Sequence, residues 1–280
     1  MRAGGQAIGP VVTGSVEYGP MTSGTPGEAE GAGPPPAWFR LTFTQWQGLH
    51  CAEEVVPMIM SKEDTNTMRA LRELKSDSSS VRLRAALTLG TAPDPGFIGR
   101  LIERCAVEPE FSVREMLTWA LTRHPASMTV PVLLGEVRSE SAQARSQALH
   151  TLSKIGDRQA WPGIAPALLS DADDEVARSA WRAAVALVPE DAKGELAVVL
   201  AGQLGRGEHE TQLSLSRALV ALGEAMLPAL GAATTDPDPR VRAHALATDR
   251  LWRDPDAGFG FAIEGAKRVV ALGGAGRKGQ

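Results

Sequence analysis

Residues that usually carry catalysis are scarce in this chain. Two cysteines occur in 280 residues, Cys51 and Cys105, in different regions and without paired spacing. That excludes a disulfide framework and a CxxC metal site. Of the five histidines, His50, His124, His150, His209 and His244, no two stand at i and i+4, and no HExxH motif occurs; each is read as structural or solvated. Long hydrophobic runs are missing too. Nothing approaches the ~18–20 consecutive apolar residues of a spanning helix, and no apolar run follows Arg2 in the manner of a secretory signal. The expectation is a soluble, cytoplasmic protein without a membrane segment. No GxSxG motif places a nucleophile on a turn, and the glycines of Gly273-Gly274-Ala275-Gly276-Arg277-Lys278 stand near the terminus without a following helix, so neither a hydrolase elbow nor a phosphate loop is available.

Aromatics make up only 5% of the chain against 43% apolar residues. A core built from alanine and leucine suits closely packed helices. The charge is also small. Residues 1–60 hold two arginines and five glutamates, which accounts for −3 of the net −4 and leaves the remainder at −1. A body so near neutrality lacks the surplus of Lys and Arg that phosphate neutralisation needs, which disfavours nucleic acid as a partner. Residues 1–36 contain nine glycines and six prolines, including Pro34-Pro35-Pro36, a composition that predicts disorder. Residues 1–60 are therefore expected to be a disordered extension. Met58, Met60 and Met68 just before the periodic region also raise the expectation that residues 1–57 come from an upstream start absent from the natural product.

What the chain does have is a repeated phrase. Its clearest copy is Val81-Arg82-Leu83-Arg84-Ala85-Ala86-Leu87-Thr88-Leu89-Gly90, with echoes at Val113-Arg114, Ala144-Arg145, Ala177-Arg178 and Val241-Arg242. Successive arginines are 32, 31, 33 and then 64 residues apart, the last gap being two periods. A period of this length marks a solenoid, whose units bury their apolar faces only by stacking. Each unit is expected to hold two helices. The second begins at the phrase after acidic or small polar residues such as Asp77, Glu110, Ser141, Asp173 and Asp238, which suit a helix N-terminus. The first carries Pro131-Val132-Leu133, Pro166-Ala167-Leu168 or Pro228-Ala229-Leu230, the proline being expected near its start. Gly156 is expected to stop a helix in the left-handed conformation. Residues 214–223 form a degenerate copy with Leu215 where the phrase has arginine.

The Val-Arg-x-x-Ala-Ala-x-x-Leu-Gly phrase, the proline register before it and the Leu152-to-Asp157 ending resemble HEAT repeats, especially the short bacterial type grouped with phycobilisome lyase-like repeats. The resemblance covers roughly residues 62–272, about six units. It implies an all-α solenoid over 61–272, with 273–280 as a tail. It also implies that Arg82, Arg114, Arg145, Arg178 and Arg242 form an internal ladder by pairing with acidic residues of neighbouring units. Members of the family include chromophore lyases, a di-iron hydroxylase and DNA glycosylases. The hydroxylase's repeated His-Glu ligands are missing, since only His209-Glu210 occurs. A glycosylase would need a basic groove, for which Trp119, Arg123 and Glu115 are the nearest residues.

At about 100° per residue, one outward row of the second helices reads Leu87, Trp119, His150, Ala183, Val220 and Ala247. The next reads Thr91, Arg123, Lys154, Leu187, Glu224 and Leu251. If second helices line the concave side, as the resemblance implies, Trp119, Arg123, His150 and Lys154 form an aromatic and basic cluster, with Arg84 near it. The competing expectation is that Trp119 and His150 fill the seam between repeats. Trp161, Trp181 and Trp252 are read as packing residues. The expected function is a non-catalytic scaffold that binds a protein or peptide and needs no cofactor or metal. The alternatives are a lyase-like chromophore or small-ligand handler and a DNA-repair or regulatory partner.

Overall fold

The repeated phrase forms the second helix of a hairpin, and the register of its arginine is set by the helix cap. In a computed structural model that describes residues 62–275, thirteen α-helices follow one another and the described residues contain no strand. They are α1 (Lys62–Glu73), α2 (Ser79–Thr91), α3 (Ile98–Cys105), α4 (Phe111–Thr122), α5 (Ala126–Glu136), α6 (Ala142–Ile155), α7 (Pro166–Leu169), α8 (Asp174–Leu187), α9 (Lys193–Ala201), α10 (His209–Ala221), α11 (Leu227–Ala233), α12 (Pro239–Arg253) and α13 (Phe259–Ala275). The extension over 1–60, the upstream-start expectation for 1–57, His50 and Cys51, and the tail beyond 275 lie outside the described residues. The last helix runs three residues past the expected limit of 272.

Packing divides the helices into two layers. The even-numbered helices α2, α4, α6, α8, α10 and α12 stack in sequence, each also touching the odd-numbered helix before it, and α13 closes the array against α12. This is an α-solenoid of six hairpins with one further helix. Small residues let the layers approach: Ala85, Ala86 and Leu89 of α2, Leu117 and Leu121 of α4, and Ala177 and Trp181 of α8 are fully buried. Trp181 fills the core as expected and donates its indole N–H to Leu169 O at 2.8 Å. No single described helix is long and apolar enough to cross a membrane.

A single device repeats before four of the second helices. Four residues after the N-cap, the phrase arginine points its Nη1 back at two carbonyls of the preceding loop. Arg82 donates to Ser76 O and Asp77 O, both at 2.8 Å, Arg114 to Glu108 O and Pro109 O, Arg145 to Ser139 O and Glu140 O, and Arg242 to Asp236 O and Pro237 O. The carbonyls sit six and five residues before the arginine, in the loop that enters the helix, where buried acceptors need partners. The N-caps behind them are Ser78, Glu110, Ser141 and Asp238. Asp173, the cap of α8, accepts from Glu175 N and Val176 N. Gly156 ends α6 with φ of 70°, the left-handed stop the sequence leads one to expect.

The first helices are less regular than their sequence suggests. Pro166 and Pro228 lie in the first turns of α7 and α11, but Pro131 lies inside α5. In the fourth unit, Pro162 and Pro166 break the helix: a 3₁₀ segment over Arg158–Gly163 carries Trp161, and only four residues of α7 follow.

Units meet closely at Gly90 of α2. A Cβ there would overlap Trp119 Cζ3 and come within 2.9 Å of the Ala120 backbone, so the α2–α4 seam depends on the absence of a side chain. Gly90→Ala is expected to lower stability by about 1–3 kcal/mol through overpacking. Urea unfolding monitored by tryptophan fluorescence checks this, and a wild-type midpoint contradicts it.

Candidate functional site

Second helices α4, α6 and α8 enclose a groove of about 520 Å³. Its floor and walls are turns of three consecutive second helices, so the same repeat positions recur along it. One position after the clamp register come Glu115 and Ser146, and four positions further on comes His150.

The fourth unit changes this pattern by one residue. Counting four from its N-cap, Asp173, gives Ala177, which is fully buried. Arg178 therefore lies one residue beyond the clamp position and is turned by about 100° into the row of Glu115 and Ser146. It makes no clamp. It pairs with Glu175 of its own helix at 3.4 Å, and its Nε is buried without a hydrogen-bond partner. The loop carbonyl it would have held is taken by Arg206 of the following unit, whose Nη2 donates to Asp171 O and whose Nε donates to Asp174 Oδ1 at 2.9 Å.

The expected arginine ladder is thus two things. Arg82 and Arg145 reach a carboxylate 26 residues ahead, Glu108 and Asp171. The Arg114 and Arg242 side chains donate to loop carbonyls, and Arg178 belongs to the groove. The same slip corrects the outward rows: in the fourth unit the row of Trp119 and His150 continues at Arg182, because Ala183 is fully buried, and the next row does not include the buried Leu187. In the degenerate unit the cap is Glu208, so Gln212 holds the clamp position and donates to Gly207 O at 3.0 Å. Leu215, expected there, is a core residue.

The expected cluster is divided. Trp119 packs on Gly90, and the Arg123 guanidinium stands 5.9 Å from the Trp119 ring centroid. His150 lines the groove instead, with Nε2 2.9 Å from Glu115 Oε1 but off the direction of a hydrogen bond. Lys154 and Arg84 are exposed and do not line it. The imidazole beside it holds the Glu115 carboxyl below the usual carboxylate range despite desolvation, with smaller help from Lys154 and Arg114.

Gln147 Oε1 and His150 Nε2, like Arg178 Nε, line the groove buried and without hydrogen-bond partners. At the α8 end Arg178 and Arg182 share one carboxylate, Glu175, at 3.4 and 3.5 Å. Burial, with the neighbouring Arg178 charge, lowers the Arg182 pKa from its ordinary value despite Glu175. At the α4 end the exposed Phe111 ring lies 5.8 Å from the Arg114 guanidinium.

Sequence reasoning passed over Gln147, Arg182 and Phe111. Gln147 and Phe111 carry no motif, and Arg182 becomes visible only once the register of α8 is set by its cap.

Among the described residues no group of three or more His, Cys, Asp or Glu side chains could hold a metal ion. Cys105 is buried, and desolvation pushes its thiol up to about 12, which removes it as a nucleophile near neutrality. His124 bonds the carbonyls of Ala120 and Asp94.

Residues 98–186, which contain the groove, match a family model described as HEAT repeats. No curated protein shows significant similarity to the chain. Among solved structures, the complex of CpcE and CpcF of phycocyanin lyase from Nostoc sp. PCC7120 is 19% identical, with 83% of this chain and 92% of that one covered at a TM-score of 0.40. An engineered protein is 16% identical over 69% of this chain and 99% of its own at 0.39. A second engineered protein is 20% identical over 74% and 67% at 0.37. Superpositions this loose carry no argument; residues 98–186 are similar to HEAT repeats, and they lie within a stack of helical hairpins, an α-solenoid.

Proposed function

We propose that the chain is a non-catalytic, cytoplasmic interaction module whose α4–α6–α8 groove receives a segment of a protein partner. The observation that carries this reading is the pair of buried polar atoms without hydrogen-bond partners, Gln147 Oε1 and Arg178 Nε, in one groove. Each such atom costs about 1–3 kcal/mol when left unsatisfied, and a peptide supplies donors and acceptors along its backbone. The lining holds Arg114, Arg178 and Arg182 against Glu115, Asp173 and Glu175. That balance suits a mixed polar partner better than a phosphate backbone.

Affinity capture from extracts of the native host, quantified by mass spectrometry, tests the reading. Gln147→Ala with Arg178→Ala is expected to lose a defined set of proteins that wild type retains. Trp119→Ala, which alters the seam and not the groove lining, is expected to keep that set. Identical sets for wild type and the groove variant overturn the assignment.

A further inference from the structure

The two ends of the groove differ in a way that specifies what lies in it. At the α8 end two guanidinium groups, Arg178 and Arg182, share one carboxylate at the long distances of 3.4 and 3.5 Å, and Arg182 Nη2 also donates to Ser179 Oγ at 2.9 Å. The other two acidic side chains of the lining are committed elsewhere. Asp173 caps α8 through two backbone N–H groups, and Glu115 faces His150 at 2.9 Å. Glu175 is thus the acidic side chain of the lining that pairs with these two arginines, and Arg178 Nε is a buried donor with nothing to donate to. Ser146 Oγ and Ser179 Oγ, 3.3 Å apart, form a polar floor beside it. At the α4 end, by contrast, Phe111 presents an exposed aromatic ring held near Arg114.

Resting on the interaction role proposed above, we infer that the groove takes an extended peptide segment in which an acidic side chain lies between Arg178 and Arg182 and an apolar side chain packs on Phe111. The acidic carboxylate accepts from Arg178 Nε and from the Arg182 guanidinium, relieving the pair that now share Glu175. Gln147, midway on α6, accepts a backbone N–H of the segment. Its length follows from the scaffold. Three packed helices at ~8–10 Å between axes span about 20 Å, and an extended chain advances ~3.3 Å per residue, so the segment is about six residues long. The acidic and apolar residues must therefore stand near opposite ends of the segment.

The test uses the full chain and fluorescein-labelled hexapeptide mixtures, with Glu or Gln fixed at each position in turn and the others randomised, read by fluorescence anisotropy. The expected result is a Glu-over-Gln preference of at least about tenfold, the scale of a charge-assisted hydrogen bond, confined to positions near one end. Arg178→Gln and Arg182→Gln are each expected to erase that preference while circular dichroism remains that of wild type. Phe111→Ala is expected to weaken Glu and Gln mixtures alike. A preference that survives both arginine substitutions overturns the inference. So does equal binding of Glu and Gln mixtures; if Gln147→Ala weakens both, the groove remains a peptide site of other chemistry. If no mixture binds, the acidic-peptide inference fails, and the capture experiment then decides separately whether the interaction role fails with it.

Discussion

Glu108→Ala is expected to lower the free energy of unfolding by about 3–5 kcal/mol, the cost of removing one member of a buried ion pair. Glu108 has no exposed surface. It receives Arg82 through Nε and Nη2, both at 2.7 Å, and Arg104 at 2.8 Å, and its Oε1 also accepts from Glu110 N at the cap of α4. Burial opposes its charge, but the bonds from Arg82, Glu110 N–H and Arg104 prevail and hold its carboxyl below the ordinary range. Truncation leaves the Arg82 guanidinium, itself 5% exposed, with only the two loop carbonyls below Nη1. The first and second hairpins lose their shared anchor in the same step. Urea unfolding at neutral pH measures the loss. Glu103→Ala, whose pair with Arg100 is exposed on both sides, serves as the control and is expected to leave the midpoint nearly unchanged. If Glu108→Ala unfolds at the wild-type midpoint, the anchor is dispensable and the account of this junction is wrong.

The second large effect depends on pH. His244 of α12 is fully buried; its Nδ1 accepts from Gly205 N at 3.0 Å, which places the ring proton on Nε2, facing Gln212 O and Ser216 Oγ, each at 3.0 Å. Its ring also meets Phe259 edge-on at 5.9 Å. Desolvation lowers its pKa from 6.5 to about 4, against a small opposing effect of the Gln212 carbonyl. A histidine whose folded pKa is depressed binds its proton more readily in the unfolded chain. Its contribution is therefore complete above pH 6.5 and is lost as the pH falls from 6.5 through about 4. The shift corresponds to about 3 kcal/mol between pH 7 and pH 4. Protonation would also place an N–H at Nδ1 opposite the Gly205 N–H. Stability measured across this range is expected to fall by about that amount more in wild type than in His244→Gln, whose own decline reports the carboxylates. Parallel pH profiles for the two proteins would remove His244 as the cause.

The architecture was legible because solenoid packing imposes one pattern many times: small residues where hairpin helices meet, an arginine near the start of every second helix but α10, and a period near 32. The arginines were read as pairing through side chains, yet their recurrent bond is to loop carbonyls, and a backbone acceptor leaves no mark in a sequence. Glu108 was invisible for a related reason. It is a single glutamate before a proline, and only folding brings it to Arg82. The groove was partly legible: His150 was singled out, but Trp119 and Arg123 belong to a seam with Gly90. The row was misread beyond the third unit because Arg178 mimics the phrase one residue out of register, and only the position of the Asp173 cap reveals the offset. His244 carries no signal in the chain at all, since its partners are the backbone of Gly205 and Gln212 and the Ser216 hydroxyl, all brought to it from a neighbouring unit by folding.

The carbonyl clamp has one more consequence, for how such a chain can change over time. Its acceptors are backbone carbonyls, which every residue type provides, and the clamped pairs are of two kinds, serine before an acid in Ser76-Asp77 and Ser139-Glu140 and an acid before proline in Glu108-Pro109 and Asp236-Pro237. The clamp itself thus makes no demand on the loop side chains, although Glu108 and Asp171 are held by their pairs with Arg82 and Arg145. A duplicated unit would arrive already stapled, and moving that arginine by one position, as in α8, releases a charged side chain to the surface without dismantling the stack.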